Sequence, residues 1–389
     1  MLEELFDAIC IDNLNVSERR KVYEASFDFN VDNKPEYEFF TIIKSRIPSR
    51  DRLVIELVNE SEYTFSFDFV EGEKIEYEKF FSDLDWDNII TTKVKIEKNI
   101  ENNKLSVFNY NRFVEDLLSL DTEQCLKIFS KNFLGNNSYL IFELLDRNIS
   151  FYTKTLFFIP YEKVIDNIDF NREKRIETCK EVSYFYNLDN YELLPDDFKI
   201  EKNYDENPLS DLFENMTAML SLCFISNSAR LDQKEVKGII NGQKVLEYRL
   251  LFESISNKKL LYRIYNWIYT GGNAVDKAII ARNMISMHCQ NSITELDERV
   301  MYSIETNYNL YLKKNVEKYL ELKNKVAEYI NEIVSKTGEY GMQLLEKFKG
   351  NLIAILGFLF SVILANIVTN QPLNNIFTKE ITVLSEVIL

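Results

Sequence analysis

The sequence NLIAILGFLFSVILANIV, residues 351–368, decides the expected architecture of this chain. It carries no charged side chain, and as a helix it would reach about 27 Å, close to the roughly 30 Å hydrocarbon core of a bilayer. Pro372 follows closely and is expected to end the helix. The alternative is a buried core helix, but core helices rarely run this far without a charge. We therefore predict one transmembrane helix over residues 350–370, preceded by a soluble body.

The same segment carries a row of small side chains. Their spacings of four, three, four and four place five of them on one helix face: Gly350, Ala354, Gly357, Ser361 and Ala365. Such rows let helix backbones approach closely in lipid, and the amide of Asn366 beside them needs a polar partner or a water-filled cavity. Small residues are also common in membrane helices without this role. We predict that this face packs against other copies of the chain or lines a pore.

The composition is that of a folded acidic protein. Of 389 residues, 46% are hydrophobic, which is enough for two or three packed domains, and the formal net charge is −16. Because phosphate neutralisation needs clustered Lys and Arg, no extended nucleic-acid surface is expected. The five cysteines stand singly, without CxxC spacing, which fits a reducing cytoplasm.

The charges that flank the apolar segment predict its orientation. Lys336, Lys347 and Lys349 precede it, whereas only Lys379 follows it. Basic residues concentrate on the cytoplasmic side of membrane helices. We therefore expect a single-pass protein of the cell inner membrane, with a cytoplasmic N-terminal body and a short external tail over residues 371–389.

Residues 1–204 are predicted to form an α+β domain with a largely antiparallel sheet. Period-two alternation of apolar residues predicts strands in five runs: 52–58, 63–70, 92–97, 104–110 and 151–160. The strands arrive in runs, without helical crossovers between them, which favours antiparallel pairing. A helical pattern occupies residues 111–147.

A polar stretch at residues 199–208 predicts a boundary, so residues 205–290 are expected to form a second domain, mixed in structure. Its predicted elements are a helix over 209–223, strands over 235–240 and 244–250, and helices over 259–269 and 275–290. Asn241-Gly242 between the two strands is a specific hairpin signal.

Residues 291–349 are predicted to form a helical stalk. An apolar seam with nearly heptad spacing runs along it: Leu312, Val316, Tyr319, Leu322, Val326, Tyr329 and Ile333. The seam indicates either a coiled-coil stalk or an amphipathic helix packed on its own domain. Gly338 and Gly341 interrupt the pattern and suit a hinge before the membrane.

The search for catalytic chemistry finds little. His288 is the only histidine, and its neighbour Cys289 would point about 100° away from it on a helix. No phosphate-binding loop or nucleophile elbow occurs. The run from Pro195 to Lys199, PDDFK, matches a nuclease-like pattern, but such matches arise by accident in an acid-rich chain. We predict no enzymatic activity, no cofactor and no metal site.

The segment 260–290 is the best candidate for a ligand-binding surface. Arg263 and Arg282 can receive a carboxylate or phosphate, Trp267 can stack on a base, and Asn283 lies beside them. In the alternative, the aromatic residues form core and the arginines pair with surface acids.

Three functional hypotheses follow from this architecture. The first is an oligomeric membrane-tethered effector that senses a cytoplasmic ligand or protein partner and opens a pore or disrupts the bilayer. A role in bacterial antiviral defence is consistent with it. The second is a passive membrane-anchored scaffold or interaction protein, and the third is a tethered metal-dependent nuclease. One span per chain cannot enclose a pore, so the first hypothesis requires a homo-oligomer.

Overall fold

The computed structural model describes residues 2–369 except 11, 70, 71, 83, 87, 136, 166, 167, 233 and 291, together with Lys379 and Val383. The chain divides into two compact units, Met1–Tyr308 and Asn309–Leu389. The first unit is α+β and the second consists of a long helix in its described part, so the predicted α+β class is confirmed.

The N-terminal unit begins with a five-stranded antiparallel sheet in the order β1-β2-β5-β3-β4. Its elements are α1 (Leu2–Asp7), β1 (Asp12–Glu18), β2 (Val22–Asn30), α2 (Tyr37–Ser45), β3 (Arg52–Asn59), β4 (Thr64–Phe67), α3 (Glu73–Ser82) and β5 (Ile89–Glu97). Side chains alternate between the two faces of the sheet, so one face is buried and the other is in contact with solvent. In β2, Tyr23, Phe27 and Phe29 are buried while Glu24 is exposed. The strands predicted at 52–58 and 92–97 are confirmed, and β4 lies within the predicted run 63–70, of which Val70 is outside the described residues.

The second sheet differs from the sequence-based expectation in its pairing and in the bounds of its elements. Its elements are β6 (Lys104–Val107), α4 (Tyr110–Leu118), α5 (Thr122–Ile128), a π-helical turn (Phe129–Leu134), β7 (Leu140–Leu144), β8 (Phe151–Tyr152) and β9 (Leu156–Pro160). The helix expected over 111–147 ends early, because residues 140–144 form a strand with all five side chains buried. This strand pairs in parallel with both β6 and β9, so the largely antiparallel pairing expected over residues 1–204 holds in the first sheet but not for these strands. The strand predicted over 104–110 ends at Val107, and the one predicted over 151–160 is the antiparallel pair β8 and β9. A strand buried on both faces shows a continuous apolar run without alternation, which resembles a helix in sequence.

The third sheet, in the order β10-β11-β12-β13, contains the predicted hairpin. The elements of this region are α6 (Arg172–Val182), β10 (Tyr184–Phe185), α7 (Leu188–Tyr191), α8 (Pro195–Phe198), α9 (Ser210–Ile225), β11 (Ser228–Asp232), β12 (Glu235–Asn241), β13 (Val245–Leu251), α10 (Lys258–Tyr269) and α11 (Ala274–His288). Asn241 pairs with Val245 across the turn, which confirms the hairpin. The helices predicted at 209–223, 259–269 and 275–290 are confirmed to within two residues at each end.

The described residues of this unit form two large hydrophobic cores and a small third cluster of Ile141, Phe157 and Ile159. The first large core collects side chains between Leu2 and Phe108, and the second large core collects side chains between Leu105 and Ile304. Phe198 and Phe213 stand on opposite sides of the polar stretch 199–208, yet their rings lie 5.6 Å apart in the second core. The composition change at 204 therefore corresponds to a surface loop between elements that share one core.

A buried ion pair joins the two cores. The Glu18 carboxylate at the end of β1 accepts a hydrogen bond from Lys98 Nζ at 2.8 Å, and neither side chain has any solvent exposure. The same carboxylate accepts the backbone N–H groups of Phe108 and Asn109, just before α4. Each buried charge is thus paired, as burial of an ion requires.

The last helix, α12 (Arg299–Thr369), begins in the N-terminal unit, where Val300, Met301 and Ile304 of its first turns are buried in the second core. The unit Asn309–Leu389 contains the rest of it. The helix continues through Gly338 and Gly341 without a break, and the hinge predicted at these glycines stays a prediction. Each of the seven seam side chains, from Leu312 to Ile333, is at least 43% exposed.

Within the part of the chain that the structure describes, α12 is the one helix long and apolar enough to cross a membrane, and none of its apolar window is buried. The predicted tail, 371–389, falls outside the described residues apart from Lys379 and Val383.

Candidate ligand pocket and the root of the long helix

A pocket of about 260 Å³ opens on the N-terminal unit between the end of α8, the loop that follows it, α9 and the first turns of α10. It is lined by Phe198, Lys199, Ile200, Glu201, Asn203, Ser210, Glu214, Thr217, Lys258, Lys259 and Tyr262. Phe198, Ile200 and the Tyr262 ring provide apolar wall, whereas the rim is charged. Eight of the eleven lining residues are polar or charged, so the pocket is more polar than the usual small-molecule site and favours a polar ligand.

Three lysines from two separate segments meet at this pocket. Lys199, Lys258 and Lys259 make no ion pair with any residue that the structure describes. Lys199 Nζ instead lies 5.4 Å from the centroid of the Tyr262 ring, within the range of a cation–π contact. Glu201 and Glu214 also line the pocket, so its five charged side chains sum to a formal +1.

Tyr262 connects the pocket to a buried carboxylate. Its hydroxyl donates to Asp196 Oδ1 at 3.1 Å, while Tyr265 donates to Oδ2 at 2.6 Å and Lys154 Nζ donates to Oδ1 at 2.6 Å. Asp196 has no solvent exposure. Burial and the Asp196 charge raise the pKa of Tyr262, so its hydroxyl stays protonated as a donor at neutral pH.

The neighbouring Asp197 is engaged separately. Arg172 donates to it from Nε at 3.0 Å and from a terminal nitrogen at 3.1 Å, and the Thr155 hydroxyl donates at 3.0 Å. Both acids of the PDDFK run are therefore buried and paired, each with its own cation. No group of three or more His, Cys, Asp or Glu side chains among the described residues could hold a metal ion. The run serves packing of the second core.

Two of the residues predicted to bind ligand attach α10 to the beginning of α12. Arg263 forms an ion pair with Glu298 at 2.7 Å, and the Trp267 ring meets the Tyr308 ring edge-on, with centroids 5.3 Å apart. Lys277 Nζ lies 4.7 Å from the Trp267 ring and donates to the Trp267 and Thr270 carbonyls, which ends α10. We call the contacts of Arg263 with Glu298 and of Trp267 with Tyr308 the α12 root. The N-terminal turns of α10 line the pocket, and these contacts from the rest of α10 hold the start of α12.

The other two predicted residues lie elsewhere. Arg282 is only 5% exposed and donates to the carbonyl oxygens of Val182, Ile225 and Ser226, so it caps the C-terminal end of α9. Asn283 is half-buried beside it, and its carbonyl accepts from Ser286. Neither of the two lines the pocket.

The side chain of His288 contacts the backbone of its own helix, and Cys125 and Cys289 are buried. His288 Nδ1 lies 3.1 Å from the Met284 carbonyl oxygen, which is one turn back on α11. Burial raises the pKa of Cys125 and Cys289 to about 11, so these thiols are not nucleophiles at neutral pH.

The small residues of the apolar segment lie along one face of α12. Gly350, Ala354, Gly357 and Ser361 are exposed, and a Cβ added at either glycine would meet no atom within 4 Å. The Ser361 hydroxyl donates to the Gly357 carbonyl at 2.8 Å, so its hydrogen bond is satisfied within the helix. The helix includes residues 365 and 366, but the side chains of Ala365 and Asn366 lie outside the described ones.

Sequence reasoning did not find the pocket. Lys258-Lys259 at a helix start was an available signal. Comparison with protein-family models, curated proteins and solved structures gave no match, so the functional assignment rests on the residues of this chain.

Proposed function

We propose that this protein is a membrane-tethered effector that assembles through α12 and alters the membrane when its N-terminal unit binds a ligand. The observation that carries the proposal is that no residue in the apolar segment of α12 is buried in the described structure. A core helix of a soluble protein would be covered by its own chain.

The exposed segment has the dimensions of a membrane span. Leu352, Leu356, Phe360 and Ile363 are all more than 45% exposed, and the segment has no charge from Asn351 to Leu364. Lipid would remove these side chains from water at about 25 cal/mol per Å² of buried apolar area. The lysines on the N-terminal side support an inner-membrane protein with a cytoplasmic N-terminal unit.

Two exposed faces support self-association. The seam from Leu312 to Ile333 offers apolar side chains at nearly heptad spacing, as a coiled coil requires. The row from Gly350 to Ser361 offers close backbone approach in lipid. An assembly of several copies could enclose a pore, which one span cannot do.

The α12 root supports a route from ligand to membrane. A ligand in the pocket contacts α10 at Lys258, Lys259 and Tyr262. Arg263 and Trp267 of the same helix hold Glu298 and Tyr308 of the segment that begins α12. The same packing that fixes the helix start can therefore pass a displacement to it.

The test is expression in bacteria of the full chain and of a chain that ends at Lys349, with membrane potential followed by a voltage-sensitive dye. We expect depolarisation by the full chain alone, and cross-linking should give oligomers in the membrane fraction. A full chain that reaches the membrane, stays monomeric and leaves the potential unchanged would contradict the proposal and favour a passive anchor. Antiviral defence stays a prediction, to be tested by phage challenge of the same strains.

A further inference from the structure

We infer that the pocket beside Tyr262 binds a small soluble compound through a phosphate group. The inference deepens the proposed function and rests on it for the ligand's role as the signal. It concerns Lys199, Lys258, Lys259 and the helix starts around them.

Charge is the first argument. The chain has 62 acidic and 46 basic residues, so a basic side chain readily finds a carboxylate. Lys154, Lys180 and Lys237 of the same unit have acidic partners, whereas the exposed Lys131 and Lys174 have none among the described residues. The distinguishing feature of the pocket lysines is that all three line one cavity. The three pocket lysines have none among the described residues, although Glu201 and Glu214 are near. Lysine is a common phosphate ligand in proteins, acting as a compact point charge.

Backbone donors are the second argument. Ser210 begins α9 and Lys258 begins α10, and both residues line the pocket. The residues that precede them, Leu209 and Asn257, make no side-chain capping bond to their helices. Before α9, Asn207 accepts the Leu209 N–H with its side chain and the Ser210 N–H with its carbonyl. The first turn without a side-chain cap at this cavity is therefore that of α10, a helix of 12 residues. First-turn N–H groups and the helix dipole both favour an anion.

Size limits the ligand. The pocket volume of about 260 Å³ lies below the usual 300–1,000 Å³ of drug-sized sites. It fits a phosphate group with a compact organic part against Phe198 and the Tyr262 ring, and it is too small for an oligonucleotide. The Asp196 hydrogen bond holds the Tyr262 side chain in place, so this wall is ordered before a ligand arrives.

The experiment is calorimetric titration of the full chain in maltoside micelles, which carry no phosphate, with inorganic pyrophosphate at constant ionic strength. We expect saturable binding that an equal concentration of sulfate does not abolish. The double variant Lys258→Gln/Lys259→Gln should weaken binding about tenfold or more, because it removes two charged donors. The matched control is Lys131→Gln/Lys174→Gln, which removes two exposed lysines outside the pocket and should leave binding unchanged.

Absence of saturable binding by wild type, or equal loss in the control variant, would overturn the inference. A second series in micelles doped with phosphatidylglycerol separates two sources of the phosphate. If the lipid competes with pyrophosphate, the headgroup is the ligand and a soluble compound is wrong. The titration measures binding independently of any effect on the membrane. A chain that depolarises cells but binds no pyrophosphate would overturn this inference and leave the proposed function standing.

Discussion

Helix α9 and the apolar part of α12 have similar composition and opposite surroundings. Residues 216–225 of α9 are all buried beneath sheets and helices of the second core, whereas no residue of 351–364 in α12 is buried in the described structure. A helix that is apolar all round is stable only inside a protein core or a membrane. An apolar helix sequence therefore shows that the helix must be shielded from water. The tertiary fold decides whether the same chain provides that shielding.

The largest expected effect comes from one charge placed in each helix. Leu222→Asp in α9 buries an unpaired carboxylate at a cost of several kcal/mol, comparable with the 5–15 kcal/mol stability of a typical domain. We expect the N-terminal unit to lose its cooperative thermal transition, followed by circular dichroism in maltoside micelles.

Leu356→Asp is the counterpart in α12. It should leave that transition unchanged but lower the membrane-bound fraction, since a central Asp disfavours insertion by about 2.5–3.5 kcal/mol. An equal loss of thermal stability in both variants would show that the chain covers α12 after all.

The next effect concerns the end of α9. Arg282→Met leaves the Val182, Ile225 and Ser226 carbonyls without their buried donor, which should cost about 2–4 kcal/mol in urea unfolding. Arg263→Met is the matched control, because its ion pair with Glu298 is exposed and should contribute less than about 1 kcal/mol. Similar losses in both would contradict the capping role.

A smaller effect tests whether other copies cover α12. Gly357→Leu fills the open face of the small-residue row and should weaken self-association by roughly 1–3 kcal/mol, while membrane localisation persists. Ile363→Leu lies on the opposite face and keeps the volume. Cross-linking in membranes measures the oligomer fraction of both variants. Loss of oligomers in the Ile363 variant alone would show that the contact lies on the face opposite the small-residue row.

The last test needs no substitution and uses the pH dependence of stability to report whether Cys125 and Cys289 are covered by the fold. Cys125 and Cys289 have a pKa of about 11 in the fold, against 9.0 when unperturbed. The folded state therefore keeps protons that the unfolded state loses above pH 9, so stability should be level below that pH. Above it, stability should fall by about 1.4 kcal/mol per pH unit per thiol up to pH 11. Urea unfolding at pH 8, 9 and 10 checks this, and a rise in stability would contradict the burial of both thiols.

Local patterns carried much of the fold. The strand β3 has one buried and one solvated face, so its alternating sequence predicts it. The hairpin β12–β13 is predicted by its Asn-Gly turn. The strand β7 is buried on both sides, so its run LIFEL lacks the period that separates strand from helix. Parallel pairing of β7 with β6 and β9 depends on partners distant in sequence and leaves no local mark.

The pocket was harder to predict for the same reason. Lys199 and Lys258 are far apart along the chain and meet only because α9 and α10 pack together. Arg282 looked available for a ligand in sequence, but its donors are taken by carbonyls from two other elements. Residue type predicts what a side chain can bind, and tertiary packing decides what it does bind.

The Glu18–Lys98 pair has a consequence for synthesis. The first hydrophobic core uses residues 2–108 with partly buried support from Leu145, so the sheet can close while the remainder of the chain is still on the ribosome. Its finished edge then presents the Glu18 carboxylate to the nascent backbone of Phe108 and Asn109, where the next helix starts. We expect the first sheet to act as the template on which translation builds the second core.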